Sequence, residues 1–234
     1  MRRATYVGVA LLTFTLGGIV YYLTTLKHAA PPVPASKPFE QKAEGKPPPV
    51  PLNVSIILRT NLEEAEKPEF KYRTLKLSDK PVIVDDLDVP EYVDGQEITI
   101  LGGDQSTKFW VSERYRTSMT VMGEGPHLDL VDWRHFDSEW IPLERISERK
   151  FRTLARERMK DEKFPATNQA ELIAAVRKRA GDWPEAIDLA KACSGPKAYP
   201  CAVGVSSVYF RVEMLVGDQW TTVGDVEVSI PMGC

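Results

Sequence analysis

Two of the three histidines fall within one short, acid-rich run: His127, Asp129, Asp132, His135, Asp137 and Glu139. Imidazole beside carboxylate suits either a divalent metal or an acid–base pair. On a strand, His127 and Asp129 would project to the same side, with Asp132, His135 and Asp137 following in a turn or short helix. These five are the candidate metal ligands, and a divalent metal is the only cofactor the residues raise. Their spacing matches no established zinc motif. Trp133, Phe136 and Trp140 interleave with them. The competing reading is a strand-to-helix junction, capped by Asp132 or Asp137, with the aromatic rings packed beneath.

A second acidic run comprises Asp79, Asp85, Asp86, Asp88, Glu91, Asp94 and Glu97. It lacks the glycine and glutamate positions of an EF-hand loop, so a solvated, charge-protected edge is the expectation. No Gly-x-Ser-x-Gly elbow points to a nucleophile. Gly102-Gly103-Asp104 and the segment from Gly123 to Pro126 read as hairpin turns rather than phosphate loops. Cys193 and Cys201 bracket a turn-rich loop and are expected to form a disulfide, which suits an oxidising compartment. Cys234 is left over, free or paired between chains.

Beyond residue 50 there are 24 Lys and Arg against 31 Asp and Glu, a net charge of −7. An acidic body repels phosphate backbones, so nucleic acid is an unexpected partner. Residues 4–26 form an uncharged, mostly apolar stretch of 23 residues. As a helix it would run roughly 34 Å, enough for a bilayer core of about 30 Å. It is too long for the apolar region of a signal peptide. The segment 31–51 carries eight prolines and favours an extended polyproline spacer. The expected organisation is therefore an N-terminal transmembrane anchor at 1–27, a proline-rich tether at 28–51 and one soluble domain at 52–234.

Within that domain, alternating residues predict strands at 52–59, 70–77, 82–84, 98–101, 108–111, 116–122 and 127–131. From Ile141, the residues Leu143, Ile146, Phe151, Leu154 and Met159 recur near helical spacing, with Arg145, Arg149, Arg152 and Arg156 on a basic face among glutamates. Asn168 with Glu171 marks a capping box for a helix over 169–180. Asp182 with Glu185, and Pro184 in the first turn, marks another helix running to Cys193. A hairpin over 208–230 closes the chain. The predicted class is α+β: a mainly antiparallel sheet with a three-helix insertion and a C-terminal β-hairpin, preceded by one transmembrane helix.

These features point to a single-pass membrane protein whose C-terminal domain lies outside the cytoplasm. It would act there as a binding or scaffolding module for a protein partner in the cell envelope. The alternative is a metal-dependent, hydrolytic enzyme centred on His127–Asp137.

Overall fold

The computed structural model describes residues 53–62, 69–89, 91–122, 127–160, 163–181 and 183–232. They belong to one compact unit. Thirteen strands follow in chain order: β1 (Ser55–Leu62), β2 (Glu69–Lys76), β3 (Val82–Val84), β4 (Glu91–Tyr92), β5 (Glu97–Leu101), β6 (Phe109–Val121), β7 (Leu128–Asp129), β8 (Phe136–Asp137), β9 (Ile141–Pro142), β10 (Glu144–Ser147), β11 (Lys150–Arg152), β12 (Cys201–Val216) and β13 (Gln219–Ser229). Two helices separate the last two strands from the rest: α1 (Gln169–Ala180) and α2 (Pro184–Ala192).

The strands form two sheets. One has the order β10-β11-β5-β1-β2, with β4 added beside β1. The other has the order β3-β13-β12-β6-β7, with β8 and β9 added along β6. Every pairing is antiparallel except that of β3 with β13. Neither sheet closes into a barrel. Their inner faces share one apolar core, as in a sandwich. Ile56, Leu58, Ile98, Ile100 and Phe151 come from the first sheet and Phe109, Val111, Val208, Phe210, Val212, Val226 and Val228 from the second.

β6 and β12 outrun that core, and their far ends meet a smaller one. There Met119, Val121 and Cys201 pack with Leu130, with Leu172, Ala175 and Val176 of α1, and with Ala186 and Ala190 of α2. Asn168 Oδ1 accepts the Glu171 backbone N–H at 2.9 Å, which caps α1. Pro184 occupies the first turn of α2, where its missing N–H costs nothing. Cys193 and Cys201 form a disulfide that joins the end of α2 to the start of β12. Cys234 and Asp182 lie outside the described residues.

The α+β class with a three-helix insertion is overturned. Strands make up 48% of the described residues and only two helices occur among them, so the fold is β-dominated. The segment expected to be the first helix is instead the β10–β11 hairpin followed by a 3-10 turn, Arg156–Arg158. Phe151 and Leu154 are buried, but Ile146 is 41% exposed, so the apparent helical stripe never shares one face. Phe151 fills the sandwich core from β11, which pairs with β5. Tertiary demand for a strand beside β5 outweighs local periodicity here.

The expected anchor at 1–27 and tether at 28–51 lie outside the described residues. No helix among the described residues is long and apolar enough to cross a membrane. The two helices hold 12 and 9 residues, against the ~20 that a crossing requires. The single-pass anchor and the membrane-bound, extracytoplasmic placement are therefore unsupported.

Candidate functional site

Strand parity assigns the two faces of the larger sheet. On β6, Phe109, Val111, Glu113 and Tyr115 point inward, which turns Trp110, Ser112, Arg114 and Arg116 outward. Register then aligns the outward residues of neighbouring strands. Arg114 pairs with Tyr209, Ser112 with Arg211 and Trp110 with Glu213 across β6 and β12. Tyr209 pairs with Glu227, Arg211 with Asp225 and Leu215 with Trp220 across β12 and β13. β8 adds Asp137 opposite Arg116.

These side chains hold one another. The Arg211 guanidinium lies 4.3 Å from the Trp140 ring centre, and Arg114 lies 5.1 Å from Trp140 and 4.6 Å from Tyr209. Arg116 covers the same tyrosine at 5.4 Å. Arg116 donates through Nε and Nη2 to the two Asp137 oxygens at 2.8 and 3.1 Å. Arg211 donates likewise to Asp225 at 2.9 and 3.0 Å. Tyr209 Oη donates to Glu227 Oε1 at 3.2 Å. Trp110 and Trp220 are in tilted contact, 6.1 Å between centres. Hydrogen bonds from Arg116 hold the Asp137 carboxyl below its usual range, so it stays ionised well into acid. The Tyr209 hydroxyl is pushed up by burial despite the nearby Arg116 charge, so it remains a donor at neutral pH. The Arg114 Nε is buried without a hydrogen-bond partner.

The expected metal ligands do not gather. Both Asp137 oxygens are taken by Arg116, and His135 Nε2 lies 3.7 Å from one of them. His135 Nδ1 sits 3.2 Å from the Trp133 carbonyl. Asp132 turns toward Arg179, 3.3 Å away. His127 and Asp129 stand at alternate positions at β7, and His127 Nδ1 and Asp129 Oδ1 are both buried without hydrogen-bond partners. Among the described residues no three His, Cys, Asp or Glu side chains are grouped to hold a metal ion. The helix-capping alternative is not what forms either, because the segment contributes the short strands β7 and β8 and no helix. Its aromatics separate: Trp133 packs on Phe164, Phe136 on Tyr115, and Trp140 on the arginines.

Four of the seven acids in the second run meet cations, while Asp79, Asp85, Asp86 and Asp88 stay exposed. Asp88 lies 2.6 Å from Lys71 and Asp86 lies 3.4 Å from Arg73. Glu97 sits between Arg59 at 3.6 Å and Lys150 at 3.8 Å. Glu91 is buried, accepting from Thr60 and Arg73 side chains and from the Asp88 backbone N–H. That cluster ties β1, β2 and β4 together.

The outward residues of the larger sheet are the ones that sequence reasoning missed. The signal was the complement of the pattern that was read. With Val208, Phe210 and Val212 inward, Tyr209 and Arg211 must face out. The chain matches no family model, no curated protein and no solved structure.

Proposed function

We propose that the domain is a binding module that engages a protein partner through the outward face of the larger sheet. The observation that supports this most directly is the stack Arg116–Tyr209–Arg114–Trp140–Arg211. Trp, Tyr and Arg are the residue types that dominate protein–protein binding energy. Here they are half-buried by one another, on the adjacent strands β6 and β12 and, for Trp140, in the connection from β8 to β9. Because neighbours already restrain the rotamers, docking forfeits little side-chain entropy, about 0.5–1.5 kcal/mol less for each side chain spared. Asp137, Asp225 and Glu227 neutralise much of the positive charge. The face thus suits a mixed polar and aromatic protein surface better than a polyanion. A metal-dependent hydrolytic reading finds no ligand set among the described residues.

The test is site-specific photo-crosslinking in cells. A photoreactive phenylalanine at Trp220 is expected to trap a discrete partner. One at Tyr72, which is 65% exposed on the other sheet, should not. The adduct should vanish when Tyr209→Ala and Arg211→Ala are combined. Equal labelling from both positions, or an adduct indifferent to the double substitution, would remove the proposal.

A further inference from the structure

The segment expected to ligate a metal lines something else. A cavity of about 400 Å³ lies between the turn after β7 and the last turns of α1. Its walls are Leu130, Asp132 and Trp133 on one side and Ala175, Lys178 and Arg179 on the other. Leu130 and Ala175 are buried and belong to the smaller core, so they provide an apolar floor. Trp133 forms a rigid wall, because its ring rests against Phe164 with 6.2 Å between centres. The volume falls in the range of small-molecule sites, about 300–1,000 Å³.

The charges lie at the rim. Lys178 and Arg179 oppose the single carboxylate of Asp132, leaving the mouth with a net charge of +1. The carbonyl end of α1 contributes roughly −0.5 in the opposite sense. The two cationic heads sit on long stems and exceed it. The Arg179–Asp132 contact is 3.3 Å, with side chains 50% and 79% exposed. An exposed pair of this kind is worth about 0–1 kcal/mol, so an incoming anion can take Arg179 from Asp132 at small cost.

We propose that this cavity binds a small planar apolar molecule carrying one anionic group, of the aromatic carboxylate class. Its ring lies along Trp133 over Leu130 and Ala175, and its carboxylate sits between Lys178 and Arg179. The site is separate in its residues from the arginine–aromatic face, and neither proposal depends on the other.

The experiment is calorimetric titration of the full chain with 2-naphthoate, with 2-naphthalenemethanol as its neutral counterpart. Naphthoate is expected to bind one-to-one and about tenfold more tightly than the alcohol. Lys178→Glu, a change at an exposed position, should weaken naphthoate by about tenfold and leave the alcohol unaffected. Ala175→Leu fills the floor and should abolish both. If Ala175→Leu also lowers the melting temperature, the Lys178→Glu comparison decides alone. Absence of saturable naphthoate binding overturns the proposal. So does equal affinity for the alcohol, or naphthoate affinity unchanged in Lys178→Glu.

Discussion

Glu113 Oε2 accepts the Leu154 backbone N–H at 2.8 Å, joining the inner face of β6 to the chain that has just left β11. Glu113 is fully buried, opposite Phe210 in the register, and its Oε1 has no hydrogen-bond partner. Burial pushes its carboxyl up from 4.5 to about 8, and the Asp94 charge adds to this, while the Leu154 N–H and Arg158 oppose it.

That shift sets a pH dependence of stability. Between pH 4.5 and about 8 the folded protein keeps a proton that the unfolded chain has released. Stability therefore falls as pH rises through this window and levels off above it, by an amount on the order of a few kcal/mol. Glu113→Gln should flatten the decline and raise the urea midpoint at pH 9. An equally steep decline in the variant would show that another group is responsible.

Glu91 should act in the opposite direction. Burial alone would raise its carboxyl, but hydrogen bonds from Arg73 and Thr60 prevail and bring it from 4.5 to about 2. Its contribution is present above pH 4.5 and is lost as pH falls toward 2. Glu91→Gln removes the buried carboxylate from Arg73, whose side chain is only 16% exposed, and leaves it the exposed Asp86 as a charged partner. The expected cost is about 3–5 kcal/mol near neutral pH, with a shallower acid limb in unfolding curves. A variant as stable as the parent would mean that the existing Asp86 contact is sufficient for Arg73.

Two glycines separate backbone conformation from steric room. Gly95 and Gly102 both have positive φ, +69° and +91°. A Cβ at Gly95 meets open space, whereas at Gly102 it would lie 1.9 Å from the Asn53 carbonyl oxygen. Gly95→Ala should cost about 1–2 kcal/mol, the usual left-handed penalty. Gly102→Ala should cost clearly more and displace the chain entering β1. Chemical denaturation of the pair measures the difference, and equal losses would remove the clash from the account.

The Cys193–Cys201 bridge closes a loop of eight-residue separation. Replacing both cysteines with serine should lower stability by about 2.5 kcal/mol in the chain-entropy picture. Amide exchange should quicken first in α1 and α2, since Cys193 and Cys201 belong to the smaller core. Loss spread evenly over both sheets would contradict that localisation.

Much of the strand content was legible because one buried face leaves a period-two trace, as in Val208, Phe210 and Val212. Caps made the two helices legible, with Asn168 fixing one start and Pro184 the other. Helical spacing misled at 143–159, where Leu143, Phe151 and Leu154 are buried through separate short elements. Treating β6 as two strands hid Glu113 in an assumed loop. Read as one strand, Phe109, Val111, Glu113 and Tyr115 place an acid among core positions. The arginine–aromatic face joins residues from 110 to 227, and pairing across that separation depends on strand order. The His127–Asp137 run looked like a site because its polar residues are close in sequence, but their partners, Arg116 and Arg179, come from elsewhere.

The bridge from α2 to β12 also bears on what happens when the helices come loose. A detached pair would remain tied to its docking surface at Cys201, with β12 still held against β6 from Cys201 onward. Its local concentration at that surface would be in the millimolar range typical of short tethers. Recapture would then outpace encounter with any other molecule. The small helical layer can open repeatedly without becoming a site of exchange between chains.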